Sequence, residues 1–413
     1  MLNHYQVIVI GGGPAGLAAS CTSAKNGATT LLIEREAKLG GILKQCIHDG
    51  FGVLRYQEKL SGPEYAEKEI ETLKGLNITV SLLTFVTAIK KTKEGFILNL
   101  VTKDGIQEVS GERLVLATGC RERTSKQVSI YGTNPAGVLS AGTAQYYINI
   151  LGKMPTRRCV ILGSGDIGMI MARRITLEGG KVLGVYEAKS TPSGLTRNIM
   201  QCLHDYDIPL YLSTTVTKVF GEERLEAVEI SQVDEKMKPI PNTNKIIKCD
   251  ALILSVGLIP ENEIAEKIQV PLSNLTKGPI VDQTLQTMVP GVYSCGNALH
   301  VNDLADYVSE SGEVAGLNAA TSRVGSPEYV DLVIDEHFSY IVPEKLELKS
   351  PLKTILYFRS RAEYTNKTLH IYVNDVEVMK RRYQKLKPPE MERLVVDFSN
   401  YPNIKSIKLS LED

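Results

Sequence analysis

VIVIGGGPAG, residues 7–16, decides how this chain is read. An apolar run ends in three glycines, and small residues follow. The spacing Gly11, Gly13, Gly16 is that of a tight strand-to-helix turn. The first glycine permits the turn, the second lets backbone approach a pyrophosphate, and the third lets helix and strand pack closely. The helix that follows points free N–H groups and the positive end of its dipole at the phosphates. Downstream, TTLLIE closes a second strand on Glu34, where a carboxylate can accept hydrogen bonds from a ribose diol.

The pattern then returns. CVILGSGDIG, residues 159–168, places Gly163, Gly165 and Gly168 after another apolar strand, and KVLGVYE closes the next strand on Glu187. A lone glycine turn is common. Here each copy opens a helix of small residues (expected over Ala15–Asn26 and Asp166–Glu178), and each helix runs into glycine, a usual stop. The repetition also extends further than two unrelated turns would. A helical stretch and a strand follow in both units: Pro63–Leu73 then Ile78–Leu82, and Gly194–Asp205 then Pro209–Ser213. Strand signals lead on to RLVLATG (113–119) in one unit and ALILSVG (251–257) in the other, each a buried parallel strand ending in glycine. The fold expected is α/β: two Rossmann-like nucleotide-binding domains with inserted β-meanders. One such turn fits a dehydrogenase that borrows one nucleotide. Two fit a protein that moves electrons between two dinucleotides.

Composition narrows the rest. Lysine plus arginine equals aspartate plus glutamate, 47 each, so no basic field invites nucleic acid. No apolar run approaches the length of a membrane span. The first strand starts at Tyr5 or Gln6, which leaves no room for a signal peptide. Seven scattered cysteines with no CxxC spacing fit free thiols in a reducing cytoplasm and no metal site.

Four motifs, in order over about residues 5–325, give the chain a resemblance: GGGPAG with Glu34, the ATG at Ala117–Gly119, GSGDIG with Glu187, and GVYSCGNAL at 291–299. It resembles the two-dinucleotide FAD- and NAD(P)H-dependent oxidoreductases related to glutathione reductase and thioredoxin reductase. LGGILKQCIHDGFG (39–52) and VGLIPENEI (256–264) look most like flavoproteins that accompany anaerobic glycerol-3-phosphate dehydrogenases. More distantly the chain is similar to the α subunits of opine oxidases and hydrogen cyanide synthase. The resemblance implies an FAD domain (1–121 and 258–325) and an NAD(P)H domain (122–257). It assigns to FAD the residues Gly11, Gly13, Pro14, Ala15, Gly16, Glu34, Arg35, Gly41, Ile42, Leu43, Ala117, Thr118, Gly119, Gly296 and Asn297. It assigns to NAD(H) the residues Gly163, Gly165, Asp166, Ile167, Gly168, Glu187 and Gly257. A helix expected over Asp303–Ala320 would aim its N-terminal amides at the flavin's pyrimidine end. Two departures stand out. Asn297 occupies the place of the usual aspartate, and the redox-active cysteine pair of the disulfide reductases is missing.

Three further expectations follow. A 2′-phosphate beside Glu187 would meet like charge worth about 4 kcal/mol at 4 Å and an effective dielectric of 20, before screening. Only Lys189 offsets it, and no arginine lies at 185–192, so NADH is expected over NADPH. Cys46 is the candidate catalytic thiol, which requires a depressed pKa; the competing reading is a small buried hydrophobe. His48 and His300 are read as hydrogen-bonded structural residues. From Ser326 period-two strand patterns take over (HFSYIV, KTILYFRS, TLHIYV, RLVVDFS, IKSIKLSL), which fits a sandwich-like β domain at 330–413. That domain serves docking, or it caps or dimerises the core. Its lack of cysteine excludes an iron–sulfur module there. The functional reading is hydride transfer between NADH and FAD, with electrons exchanged with a partner redox protein or dehydrogenase subunit. The alternatives are an NADH oxidase using dioxygen and a non-catalytic, FAD-stabilised scaffold subunit.

Overall fold

A computed structural model describes residues 3–322 and 326–413; residue 325, the expected end of the FAD segment, lies outside them. The chain divides into two compact units, Met1–Cys120 with Pro260–Asp413, and Arg121–Ile259.

In the first unit the strand His4–Ile10 lies at the centre of a sheet. It pairs in parallel with Thr30–Ile33 on one side and with Gly105–Leu116 on the other. Ile78–Ser81 extends the sheet past Thr30–Ile33, and Val292–Ser294 returns late in the chain to pair with Leu114–Leu116. Val7–Ile10 are apolar without alternation because helices and loops cover both faces. The meander expected inside the unit is the antiparallel hairpin Phe85–Lys91 and Phe96–Thr102, laid on the first half of Gly105–Leu116. The helices Pro14–Lys25 and Ala305–Thr321 pack on each other through small residues, with Gly312 against the backbone of Ala15 and Gly316 against that of Ala19.

The second unit repeats this plan. Arg158–Leu162 pairs in parallel with Lys181–Tyr186 and with Ala251–Leu254. Leu210–Tyr211 extends one side and Val138–Ser140 the other. Thr214–Phe220, Ala227–Gln232 and Lys245–Lys248 form its antiparallel meander. The expected helix over Gly194–Asp205 is a correction. Only Thr196–Asn198 is α-helical; a π-helical turn (Ile199–Leu203) and a 3-10 turn (His204–Tyr206) complete the stretch. The Leu195 amide bonds Asp166 Oδ1 at 2.9 Å, so the start of the stretch is held by a distant side chain.

Beyond residue 328 the chain forms sheets of five and three strands that share a core around Phe338, Phe358, Leu369 and Phe398. Three strands escaped the sequence reading: Tyr329–Ile334, Lys345–Glu347 and Val376–Leu386. The sandwich is fastened to the rest of its unit. Arg393 grips Glu310 with two bonds of 2.8 and 2.6 Å, Tyr357 bonds the same carboxylate, and Arg359 pairs with Asp303. Gln283 and Glu347 exchange two bonds of 2.8 Å.

Candidate dinucleotide sites

The two glycine turns share their construction. Gly11 has φ +110°, and a Cβ there would lie 2.3 Å from the Ala117 carbonyl oxygen; Gly163 has φ +96°, and its Cβ would lie 2.0 Å from that of Ser255. Each first glycine thus lies across the end of the strand that leads to ATG or SVG, and no larger residue fits. A Cβ on Gly13 would meet nothing nearer than 3.9 Å, so one side of the first turn is open to a backbone-hugging ligand.

The acids close each site in the same way. Glu34 is 6 % exposed; its Oε2 accepts from the Gly12 amide at 2.7 Å and its Oε1 from the Glu36 amide at 2.8 Å. Glu187 is also 6 % exposed; its Oε2 accepts from the Ser164 amide at 3.0 Å and hydroxyl at 2.6 Å, and its Oε1 from the Lys189 amide at 3.1 Å. Each carboxylate is therefore oriented beside its turn, with lone pairs left for a diol.

The other residues assigned to FAD converge on the first turn. Pro14 opens the helix, and Ala15 and Gly16 are buried behind it. A Cβ on Gly41 would come within 3.0 Å of Gly13 Cα. Ile42, beside it, is 58 % exposed, while Leu43 is buried. Thr118 donates to the Glu261 carbonyl at 2.7 Å, and the Glu261 amide donates to the Gly119 carbonyl at 2.9 Å. Arg35 pairs with the Glu261 carboxylate at 2.9 Å. A Cβ on Gly296 would lie 2.7 Å from that of Ala15, and the Gly296 amide donates to Ser311. Asn297 Oδ1 accepts from the Asn302 amide at 3.0 Å, and its Nδ2 reaches Cys120 Sγ at 3.6 Å. One open glycine face, one aimed carboxylate and an exposed apolar residue next to them suit a flavin dinucleotide.

At the second turn Asp166 is the first helical residue. Its Oδ1 accepts from the Leu195 amide at 2.9 Å and from Asn198 Nδ2 at 2.6 Å. The Gly168 amide donates to Ser255 Oγ at 3.1 Å, and the Ser193 amide to Ser164 Oγ at 2.9 Å. Ile167 is half-buried on the same helix, and the Gly257 carbonyl accepts from the Arg123 amide at 3.1 Å.

Three expected features come out differently. Burial pushes the Cys46 thiol up to about 11, the opposite of the depressed pKa that a thiolate nucleophile requires. His300 is fully buried against Tyr340 and Tyr357, with Nδ1 lacking a hydrogen-bond partner. Burial, then the nearby Arg359, lowers it to about 3, so it stays neutral. His48 makes the expected local bond, to the Asp49 carbonyl. Finally, the long helix begins at Ala305, and its first-turn Asp306 accepts from the Arg55 amide at 2.8 Å. That places an acid of the chain itself at the helix's positive end.

Sequence reasoning missed Ser164, Ser255 and the segment Ser193–Asn198. Their signal was available in part, because Ser164 fills the middle position of G-x-G where the first copy has Gly12. It also missed the buried Glu69, which binds Arg55 at 2.6 Å and Tyr56 at 2.8 Å and so pins the loop after His48. All seven cysteines are free thiols, and among the described residues no group of side chains could hold a metal ion and no helix is long and apolar enough to cross a membrane.

Known proteins share this arrangement. Hydrogen cyanide synthase subunit HcnB of Pseudomonas protegens is 28 % identical over 287 residues, covering 63 % of this chain and 58 % of that protein. The chain thus matches less than three fifths of that relative's length. Ferredoxin--NADP reductase of Picrophilus torridus is 20 % identical, covering 73 % of this chain and 87 % of that one. The thioredoxin reductase of T. acidophilum has the same fold, with a TM-score of 0.63 at 20 % identity over 77 % of this chain and 98 % of its own. The family model described as pyridine nucleotide-disulphide oxidoreductase matches residues 5–317. This chain belongs to that family, whose members pair FAD with NAD(P)H.

Proposed function

We propose that this chain passes reducing equivalents between NADH and a bound FAD and exchanges them with a partner redox protein or dehydrogenase subunit. Residues 1–121 with 258–325 are assigned to FAD, 122–257 to NAD(H), and 330–413 to an interface role. The observation that carries the reading is the duplicated turn, with a desolvated carboxylate beside each glycine loop. When bound, the flavin and nicotinamide supply the hydride chemistry themselves. The chain's part is to bind, orient and screen. Glu34 and Glu187 hold the ribose ends, the glycine faces admit the pyrophosphates, and Ile42 offers an apolar contact to a ring system. Glu187 is the reason for naming NADH, since its fixed charge disfavours a 2′-phosphate.

The partner rests on what the chain lacks and on its relatives. No cysteine pair is present to carry electrons onward as a dithiol. HcnB and the opine oxidase relative of Agrobacterium tumefaciens are both, by name, subunits. Seven free thiols suit a reducing cytoplasm. The test is optical. Purified protein should be yellow, anaerobic NADH should bleach it, and the colour should return slowly in air but fast with a co-purifying acceptor. Peroxide formed in air at the rate of NADH use would make it an oxidase instead. Yellow protein that NADH leaves unbleached would make it a scaffold.

A further inference from the structure

Among the aligned positions at which the two turns differ, two bear on anion binding. The first turn opens its helix with Pro14, which carries no charge; the second opens with Asp166. A helix N-terminus attracts anions through its free amides and its dipole. Asp166 places an anion of the chain itself at that end. The strand beneath each turn supplies the second difference. Ala117 lies under Gly11 without a polar side chain, whereas Ser255 lies under Gly163 and its hydroxyl accepts the Gly168 amide at 3.1 Å. One of the few amides free in the first helical turn is thereby taken. The Asp166 carboxylate is not loose. It is held by the Leu195 amide and the Asn198 side chain, which lie on the segment that also reaches Ser164 through Ser193.

We infer that Asp166 and Ser255 weaken the grip of the second turn on a pyrophosphate, with Asn198 holding the Asp166 charge aside. The inference rests on the reading of the second unit as the NAD(H) site. Asp166 and Ser255 are positioning residues and take no part in the chemistry. Opposite charge effects at one helix end distinguish this from simple structural support. Asp166→Asn keeps an oxygen acceptor for Leu195 and Asn198 and removes only the charge. Asn198→Ala keeps the charge and removes its side-chain tether, leaving only the Leu195 amide.

The experiment is calorimetric titration of the FAD-loaded protein and its variants with NAD⁺. Asp166→Asn is expected to bind roughly threefold to tenfold more tightly than the parent, with the gain shrinking in high salt. Ser255→Ala tightens binding by a smaller factor, and Asn198→Ala weakens it. Asp166→Asn binding NAD⁺ no more tightly than the parent, or both Asp166→Asn and Asn198→Ala weakening it, would overturn the proposal. A parent that is yellow yet binds neither NAD⁺ nor NADH would instead remove the nucleotide reading of the second unit, a separate failure.

Discussion

Set side by side, the two glycine turns share one local plan. Strand, turn, helix and acid-tipped strand follow in the same order, and Gly11 and Gly163 face equivalent backbone oxygens, those of Ala117 and Ser255. What differs is what closes over each turn. In the first unit the Gly40 amide bonds the Gly12 carbonyl at 2.8 Å, and Leu39 packs against Gly12. The closure is backbone and hydrocarbon. In the second unit the segment Ser193–Asn198 is held through Ser164 and Asp166 by polar side chains. On the proposed reading, the apolar closure lies over the FAD turn and the polar, charged closure over the NAD(H) turn. The fingerprint then sets where a dinucleotide can lie, while the residues around its glycines set how firmly.

The largest effect expected from breaking the comparison is at the first glycines. Gly11→Ala forces a Cβ onto the Ala117 carbonyl at a left-handed φ, at a cost of roughly 3 kcal/mol or more. Flavin content per chain should collapse. Gly163→Ala meets the same obstacle in the second unit, but the protein should remain yellow and lose only its response to NADH. If both variants lose flavin equally, the two turns do not serve separate nucleotides.

Acid should act on the two units in opposite senses. Burial alone would raise Asp250, but the Thr156 hydroxyl and the Arg157 and Arg158 amides outweigh it, and its carboxyl titrates below the usual value. Its stabilisation is full above the unfolded carboxyl range and is lost as pH falls through the lowered value. Asp282 in the first unit is raised to about 6 by burial, against its bonds to Thr284 and Gln286. Its contribution is present below the unfolded carboxyl range and is lost as pH rises through about 6. Scanning calorimetry across that window should show Asp282→Asn gaining on the parent toward neutral pH, by on the order of 5 °C. Asp250→Asn should lose most at neutral pH and least in acid. Parallel curves for parent and variants would show that neither carboxyl contributes as described.

Part of this was open to reading from the sequence, and part was not. Glycine spacing, apolar strands and the acids Glu34 and Glu187 are local features, and the structure sets each acid beside its glycine turn. The strand Val376–Leu386 was not legible, because its exposed stretch Lys380-Arg381-Arg382 interrupts any clean alternation on an edge strand. The hold of Asp166 on Leu195 and Asn198 was also hidden, since those bonds join residues 29 and 32 apart and exist only once the sheet has formed. Cys46 was judged by its neighbours in sequence, whereas its burial is set by tertiary packing, including the Gly62 amide that donates to its carbonyl at 2.8 Å.

Smaller effects sharpen the contrast. Glu187→Gln should narrow the preference for NADH over NADPH by about tenfold in kcat/KM, since screening leaves only part of the like-charge penalty. An unchanged ratio would mean the carboxylate does not face the 2′ position. Cys46→Ser should change turnover with NADH by no more than about twofold, because a thiol raised by burial supplies no thiolate. A large loss of turnover with flavin content intact would restore a redox role to this sulfur.

The most direct measurement is an anaerobic spectrophotometric titration of purified, FAD-reconstituted protein with NADH. The account predicts one flavin per chain, with its visible band bleached fully by one equivalent of NADH. A colourless protein that takes up no FAD, or a flavin band untouched by excess NADH, would contradict it.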